Sequence, residues 1–175
     1  MRSIVTGGAG FIGSHLVDRL IKLGHEVVVI DNESAKENNN FFWNNDASNY
    51  KYDIRHYKKI EPLFNLVDYV FHLAFVTNIP NSVEHPLETT TDNIVMTAYF
   101  LDLSTKAKVK KFLLASTCSN YGISDPKTFA TEKSKLNPVS LYAETKIDCE
   151  RFLKSISDDK FAGVSKKKSK QIVVA

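Results

Sequence analysis

Two side chains in the last third of the chain have the spacing and the chemistry of a proton-transfer pair. Tyr142 and Lys146 lie four residues apart in the segment YAETK, so a helix places them on one face. An unperturbed phenol has a pKa of about 10, and a tyrosine that acts as a base near neutrality needs that pKa lowered by about three units, or about 4 kcal/mol. The lysine ammonium has the sign of charge that would lower it. Because this spacing is common by chance, a solvated helix face is the alternative.

Small hydroxyl groups follow a predicted strand upstream of this pair. The run 116–122 (STCSNYG) comes at the end of a strand predicted at 111–116. Open α/β sheets bind ligands at the carboxyl ends of their strands. A hydroxyl at this point could hydrogen-bond both a substrate oxygen and Tyr142. The alternative interpretation is an ordinary Ser/Thr-rich turn.

A glycine-rich turn stands near the amino terminus, between a β-branched run and a helical pattern. Residues 7–13 read GGAGFIG, which fits both G-x-G-x-x-G and G-x-x-G-x-x-G. Glycines at such a turn allow positive φ, let the backbone approach a pyrophosphate and let the helix pack close to the strand. The amino terminus of the helix then offers unpaired N–H groups. The context predicts a dinucleotide site, and the alternative is a purely structural turn.

An acidic residue follows at the distance expected for a ribose contact. Asp31 stands at the end of the second predicted strand, 21 residues after Gly10. A carboxylate there accepts both hydroxyl hydrogen bonds of an adenosine ribose and repels a ribose phosphate, so NAD is predicted rather than NADP. Without the glycines, Asp31 would be interpreted as a strand-end turn residue.

Strand and helix patterns alternate along the chain in the order that brings these groups to one edge of a parallel sheet. Short apolar runs predict strands, and apolar residues at helical spacing predict helices. This alternation is typical of an α/β fold with a doubly wound parallel sheet, a Rossmann-like NAD-binding domain expected over residues 1–157. The predicted strands are 2–6, 26–30, 50–54, 68–73 and 111–116, and the predicted helices are 11–23, 56–64, 86–107 and 138–157.

Three remaining parts of the chain are expected to have no chemical role. The Asn-rich stretch 32–49 is interpreted as a surface loop. His72 is interpreted as a structural histidine at a strand end. Residues 158–175 are expected to form a basic tail, with a possible short strand at 171–175.

The composition excludes several classes of protein. The 175 residues carry 23 Lys and Arg against 20 Asp and Glu, and the whole positive excess lies in the last 20 residues. The neutral body lacks the contiguous cationic face that nucleic acid requires, so no nucleic-acid partner is expected. Cys118 and Cys149 fit no disulfide framework, so a reducing compartment is expected. Their spacing fits no zinc pattern either, so no metal is expected. No apolar run approaches the length of a membrane span, so a soluble cytoplasmic protein without a membrane partner is expected.

Together these motifs resemble the NAD-dependent epimerase/dehydratase family, the extended short-chain dehydrogenases, and most closely its UDP-glucose 4-epimerases. The resemblance runs in order through about residues 1–155. The segments that carry it are TGGAGFIGSHL near the start, Asp31-Asn32, Asp53-Ile54, His72-Leu73-Ala74, Asn93, 116–122 and 142–146.

The resemblance implies NAD as the cofactor and a place for each part of it. The pyrophosphate is expected against the glycine turn. The adenosine ribose is expected after the second strand and the adenine after the third. The rest of the cofactor is expected after the fourth strand, where the long helix supports it. The residues implied, in that order, are Gly7, Gly10, Phe11, Ile12 and Gly13; Asp31 and Asn32; Asp53 and Ile54; Leu73, Ala74 and Phe75; and Asn93.

The resemblance also implies a catalytic trio. Tyr142 would take the proton of a sugar hydroxyl during hydride transfer to NAD, Lys146 would hold the nicotinamide ribose and tune Tyr142, and Thr117 would orient the sugar. In an epimerase the keto intermediate turns over in the site and receives the hydride on its other face. The implied substrate is a nucleotide sugar, a UDP-hexose. A homodimer through the helices 86–107 and 138–157 is expected.

Departures from the family pattern narrow the expected function. Dehydratases carry Thr-Asp-Glu where this chain has Thr117-Cys118-Ser119, which argues against dehydration. Phe75 and Met96 stand where smaller residues are usual and are expected to crowd the cofactor cleft. The chain is also much shorter than family members, as in a truncated, frameshifted or degenerate copy. The absence of the half that grips the substrate nucleotide is expected to depress turnover as well as affinity.

Three functions therefore remain open. The first is an NAD-dependent nucleotide-sugar epimerase domain. The second is a catalytically silent NAD-binding fragment of such an enzyme. The third is a UDP-glucuronate decarboxylase or a simple sugar dehydrogenase, which would use the same three active-site residues.

Overall fold

Six parallel strands form one sheet, in the order β3-β2-β1-β4-β5-β6. The structure is a computed structural model that describes residues 1–35, 38–123, 129–157 and 171–174. The strand order reverses between β1 and β4, where doubly wound sheets open a crevice for a ligand. The predicted doubly wound parallel sheet is confirmed. The strands are β1 (Arg2–Thr6), β2 (Glu26–Asp31), β3 (Ser48–Lys51), β4 (Tyr69–His72), β5 (Lys111–Leu114) and β6 (Gln171–Val174).

The helices connect successive strands. The long helix predicted at 86–107 is present, but a π-helical turn at Thr91–Val95 lies between its two α-helical parts. Short 3₁₀ turns occur at Glu61–Phe64 and Cys118–Tyr121. The α-helices are α1 (Phe11–Lys22), α2 (Tyr57–Ile60), α3 (Ile79–Glu84), α4 (Pro86–Thr90), α5 (Met96–Lys106) and α6 (Leu141–Ser157).

Several elements differ from their predicted bounds by one or two residues, and β3 and α6 differ by two or three. β3 does not occupy 50–54, because its pairing with β2 ends where Asp31 lies opposite Lys51. α6 begins three residues later than predicted. The Ser140 hydroxyl accepts a hydrogen bond from the Ala143 N–H at 3.2 Å, as the residue before a helix commonly does.

Buried apolar side chains pack on both faces of the sheet. Because side chains alternate along a strand, successive residues of β1 and β2 point to opposite faces. Burial on both faces explains why β2 is apolar at consecutive positions. On the face covered by α1, the buried cluster is Val5, Val17, Leu20, Val27 and Val29. On the face covered by α5 and α6, the buried residues include Ile4, Val28, Ile30, Phe100 and Leu153.

Two segments with weak sequence patterns join the folded domain. The strand β6, at the place where a short final strand was predicted, pairs with β5 and extends the sheet beyond residue 157. In the Asn-rich loop, the Phe42 N–H donates to the Ala9 carbonyl at 2.9 Å, next to the glycine turn. The Trp43 indole donates to the Glu33 carboxylate at 2.8 Å. The loop therefore folds back against the turn after β1.

The third glycine of the motif serves close packing between α1 and the turn before it. A Cβ built on Gly13 would lie 2.1 Å from the Gly7 carbonyl oxygen and 2.7 Å from Gly8 Cα. Both of these atoms belong to backbone, which cannot move aside as the end of a long side chain can. Only glycine fits at this position without a shift of the helix.

The Gly13→Ala variant should be less stable than the wild type by about 1–3 kcal/mol, because a methyl group forced into a closed contact displaces the backbone. Urea denaturation followed by circular dichroism measures this difference. Ser14→Ala, one residue along the same helix, is the control and should change stability by no more than about 0.5 kcal/mol. Equal stability of the two variants would contradict the close contact at Gly13.

His72 is a core residue, as the sequence predicts. Its ring is fully buried, Nδ1 lies 2.8 Å from Thr6 Oγ1, and the ring stacks on Phe100 with centres 5.0 Å apart. Burial, with a smaller contribution from the Lys146 charge, lowers the pKa of His72 to about 3. The imidazole is therefore neutral in the folded protein at ordinary pH.

This burial should make the protein sensitive to acid. Between pH 6.5 and about pH 3 the unfolded histidine binds a proton that the folded one does not, so stability falls as the pH falls through this window. The slope contributed by one such group approaches about 1.4 kcal/mol per pH unit. Urea denaturation at several pH values tests this, and His72→Asn should show a flatter slope below pH 6.5. Identical slopes would show that His72 does not carry the effect.

Candidate functional site

A cleft of about 620 Å³ opens at the carboxyl edge of the sheet, between the segments that follow β1, β2, β3, β4 and β5. The structure thus brings the predicted site residues together. Thr117 and Asn93 do not line the cleft, but each contacts a residue that does. The predicted residues that line it are Gly7, Gly10, Phe11, Ile12, Gly13, Asp31, Asn32, Asp53, Ile54, Leu73, Ala74, Phe75, Tyr142 and Lys146.

The glycine turn and the first turn of α1 present backbone to the cleft. Gly7 has a φ of +68°, and a Cβ on it would lie 3.0 Å from the Ala74 nitrogen. Gly10 is the N-cap of α1 and supplies no side-chain cap. A Cβ on Gly10 would come within 3.7 Å of the Asn38 amide and reduce the open space there. Because the first N–H groups of a helix have no intrahelical partner, this end can bind an anionic group such as a pyrophosphate.

Asp31, at the end of β2, is held in place by two backbone donors. Its carboxylate accepts hydrogen bonds from the Ala9 N–H at 3.0 Å and from the Glu33 N–H at 2.8 Å. A carboxylate has about four acceptor sites, so capacity remains for donors on a ligand in the cleft. The arrangement suits the two hydroxyl groups of a ribose and disfavours a phosphate at the same position.

Asp53, on the segment after β3, is fixed by Arg55. Its carboxylate accepts hydrogen bonds from the Arg55 Nε at 2.9 Å, Nη2 at 2.7 Å and backbone N–H at 2.8 Å, and from the Asn32 amide at 3.1 Å. The hydrogen bonds from Arg55 lower the pKa of Asp53 to about 2. Since four donors occupy this carboxylate, Asp53 and Ile54 form a rigid wall of the cleft.

Asn93, inside the π-helical turn, joins the segment after β4 to α6. Its side chain accepts a hydrogen bond from the Val76 N–H at 2.9 Å and donates to the Val76 carbonyl at 3.1 Å. It also donates to Thr145 Oγ1 at 3.0 Å. Asn93 is fully buried, so it supports the cleft wall from behind.

The three predicted catalytic residues meet at the end of β5. The Tyr142 side chain interacts with the Thr117 side chain. The Lys146 ammonium donates to the Ala115 carbonyl at 2.5 Å and lies 2.9 Å from the centre of the Phe75 ring. Tyr142 and Lys146 both line the cleft from α6. This arrangement places a phenol, a hydroxyl and an ammonium group around one open space.

Burial opposes the charged forms of Tyr142 and Lys146. It raises the pKa of Tyr142, against a smaller opposing effect of the interaction with Thr117. It lowers the pKa of Lys146 to about 7. The expected lowering of the phenol pKa by Lys146 is not found among the described residues, because the ammonium contacts Ala115 and Phe75 instead.

Of the two large residues expected to crowd the cleft, only Phe75 lines it. The Phe75 ring also packs on His72, with ring centres 4.8 Å apart. Met96 is fully buried within the core cluster on the α5 and α6 face of the sheet. The expectation that Met96 crowds the cofactor cleft is therefore wrong.

Sequence reasoning missed part of the lining, including the Asn-rich loop that was expected to have no role. The loop follows β2 directly, at the edge where the cleft opens. Its position after a strand end was the signal from which a place in the cleft could have been predicted. Asp92 was missed because its position at the cleft depends on the π-helical turn. Ser116, which also lines the cleft, belongs to the hydroxyl run 116–122 that the sequence singled out. The lining residues not predicted are Ser34, Ala35, Asn38, Phe41, Val76, Thr77, Asn78, Asp92 and Ala115.

Two other kinds of site are not found in the described ranges. Within them, no group of three or more His, Cys, Asp and Glu side chains is arranged to hold a metal ion. The helices in this part of the chain are all too short or too polar to cross a membrane.

The sequence matches a known protein family over most of its length. Residues 3–165 match the NAD dependent epimerase/dehydratase family. Among curated proteins, the chain is 37% identical over 122 residues to UDP-glucuronic acid decarboxylase 1 of Danio rerio, a match that covers 69% of this chain and 28% of that protein.

The fold is similar to those of solved UDP-glucose 4-epimerases. The enzyme from Thermotoga maritima, solved with UDP-glucose, is 38% identical with a TM-score of 0.79, over 89% of this chain and 50% of that one. The enzyme from Thermus thermophilus, solved in complex with NAD, is 32% identical with a TM-score of 0.82, over 91% of this chain and 51% of that one. The chain thus spans about half the length of these enzymes. The motifs, the strand order and these matches agree that the chain belongs to the NAD-dependent epimerase/dehydratase family.

Proposed function

We propose that the cleft binds NAD and that the chain supplies the cofactor-binding and catalytic residues of a nucleotide-sugar epimerase that acts on a UDP-hexose. Tyr142 is the base. The observation that carries this proposal is that Tyr142 and Lys146 line the same cleft as the glycine turn, with Thr117 interacting with Tyr142. A site for a dinucleotide and a site for proton transfer are thus adjacent.

The residues of the cleft fit the parts of NAD. At Gly7 and Gly10 the backbone comes to the cleft without a Cβ, next to the amino end of α1, as a pyrophosphate requires. Asp31 keeps acceptor capacity for the adenosine ribose, and Asn32, Asp53 and Ile54 form the wall expected beside the adenine. The segment after β4, with Leu73, Ala74 and Phe75, lies between this part of the cleft and the catalytic trio.

The chemistry assigned to this chain is proton transfer and positioning. When bound, the nicotinamide ring accepts a hydride from the sugar carbon and later returns it, and it carries positive charge. Tyr142 takes the proton of the sugar hydroxyl and gives it back, which is general base and then general acid catalysis. Thr117 orients the hydroxyl beside Tyr142, and Lys146 holds the nicotinamide ribose. Because burial raises the pKa of Tyr142, ionisation of this phenol would depend on the positive charge of the bound cofactor.

Epimerisation is favoured over decarboxylation by the residues next to Thr117. Loss of CO2 leaves a carbon that must be protonated, which calls for an acid in addition to Tyr142. Cys118 and Ser119 follow Thr117 and carry no carboxyl group. Epimerisation needs only the return of the proton and the hydride that were taken. The decarboxylase relative keeps decarboxylation as the alternative function.

Substrate binding and assembly are parts of the same proposal. Solved relatives about twice as long include one bound to UDP-glucose, which supports a UDP-hexose as the substrate class. A homodimer through the α4–α5 helix pair and α6 remains the expected assembly, and a cytoplasmic location remains the expected one.

Substitution of Asp31 should separate cofactor binding from chemistry. Asp31→Ala should weaken NAD binding at least about tenfold, because hydrogen bonds to a charged acceptor are worth about 1.5–3 kcal/mol. Tyr142→Phe should bind NAD within about threefold of the wild type and lose turnover, because the missing hydroxyl acts on the sugar. Isothermal titration calorimetry measures both affinities. Asp102→Ala, at an exposed position on α5, is the control. Equal effects of Asp31→Ala and Tyr142→Phe on NAD binding would contradict the division of roles.

The reaction itself is tested by incubating the chain at high concentration with NAD and either UDP-glucose or UDP-galactose. Interconversion of the two sugars, followed by NMR, is expected, and it should be lost in Tyr142→Phe. A parallel incubation with UDP-glucuronate tests decarboxylation. Saturable NAD binding with no product from any substrate would show a silent cofactor-binding protein, and accumulation of NADH would show a dehydrogenase.

A further inference from the structure

One face of α6 holds the segment after β5 through three successive turns. Tyr142, Lys146 and Glu150 are spaced four residues apart, so they follow one face of the helix. Each interacts with a different part of this segment, and the first two belong to the proposed catalytic trio. In order, the partners are Thr117 for Tyr142, the Ala115 carbonyl for Lys146, and Ser116 with Asn120 for Glu150.

Glu150 closes a triangle of polar side chains behind the cleft. It accepts hydrogen bonds from the Ser116 hydroxyl and, at 2.8 Å, from the Asn120 amide. The Asn120 amide also donates to Ser116 Oγ at 3.1 Å, and Asn120 is only 2% exposed. Ser116 lines the cleft, whereas Glu150 does not. Thr117, between these anchored residues, therefore has its backbone fixed from both sides.

Glu150 also acts on the charge of Lys146, one helical turn away. Lys146 is buried. Cys149 and Glu150, both on α6, raise its pKa, and its own charge lowers the pKa of His72 on β4. His72 is neutral in the folded protein, and the segments after β4 and β5 bring Phe75 and Ala115, which carry no charge. Glu150 is the carboxylate in this set, and it favours the protonated lysine.

We propose that Glu150 is a positioning residue of the candidate active site: through Ser116 and Asn120 it fixes the segment that carries Thr117 opposite Tyr142, and it places a carboxylate one helical turn from Lys146 on the same face of α6. The inference rests on the proposed function for the catalytic roles of Thr117, Tyr142 and Lys146. It adds a residue that touches neither substrate nor cofactor and acts through those that do.

The two effects of Glu150 can be separated by substitution. Glu150→Gln keeps the length of the side chain and an oxygen that can accept from Ser116 and Asn120, but it removes the charge. Glu150→Asp keeps the charge and shortens the reach by one methylene. A residue with a purely structural role would show no effect on Lys146 in the first variant.

The decisive measurement is the titration of Lys146 in the full chain labelled with ¹³C-lysine. The Cε signal of Lys146, identified by its loss in Lys146→Arg, reports its protonation as the pH is raised. Glu150→Gln should lower the midpoint by about half a pH unit or more, because an opposite charge that favours the ammonium is removed. Glu150→Asp should keep the midpoint closer to that of the wild type. Glu144→Gln, at an exposed position on the same helix, is the matched control and should leave it unchanged.

An unchanged Lys146 midpoint in folded Glu150→Gln would overturn the proposal, as would an equal shift in Glu144→Gln. Circular dichroism establishes folding, and Glu150→Met provides a second uncharged side chain of similar size if Glu150→Gln does not fold. Calorimetry with NAD on the same samples separates the test of the proposed function from the test of the role of Glu150. Failure of the wild type to bind NAD would count against the proposed function, while the midpoint of Lys146 would still decide the role of Glu150.

Discussion

The close approach of β4 to the end of β1 is the constraint on which the site depends. Thr6 Oγ1 accepts hydrogen bonds from the Leu73 and Ala74 N–H groups at 3.1 Å each, and it also contacts His72. The next residue, Gly7, has no room for a Cβ against the same backbone. This contact fixes the point at which the two halves of the sheet diverge, and the cleft begins there. The turn into α1, the carboxylate of Asp31 and the catalytic trio are all placed relative to it.

Much of this arrangement follows from local sequence. The glycine turn, the apolar run of β2 and the four-residue spacing of Tyr142 and Lys146 each specify an element or a face, and the parallel sheet then brings them to one edge. The features that could not be predicted depend on contacts between distant residues. Asn32 donates to Asp53 only because β2 and β3 lie side by side in the sheet, and Asn38 reaches the cleft only because the Asn-rich loop packs on Ala9.

The π-helical turn is a second feature that local patterns do not reveal. The apolar spacing of 86–107 predicts one continuous helix, and the composition of Thr91–Val95 carries no glycine or proline that would mark a break. The turn places Asn93 where its amide pairs with both backbone groups of Val76. π-Helical turns are common at functional sites. The position of Met96 was mispredicted over the same stretch, because side-chain direction there depends on the path of the helix.

The electrostatics of the trio link cofactor binding to reactivity. Burial raises the pKa of Tyr142 and lowers that of Lys146, so it disfavours the charged form of both groups. Positive charge in the cleft would change this balance, because an opposite charge favours the ionised phenol. In the proposed reaction, proton abstraction by Tyr142 would therefore depend on the bound hydride acceptor.

The position of the Trp43 indole makes tryptophan fluorescence sensitive to the cleft. It is the single tryptophan of the chain, and it donates to Glu33, whose own N–H holds the Asp31 carboxylate. Its emission therefore comes entirely from one place, two hydrogen bonds away from the carboxylate that faces the cleft. A dinucleotide with a reduced nicotinamide absorbs in the range where indoles emit. Intrinsic fluorescence can accordingly report occupancy of the cleft without any attached dye.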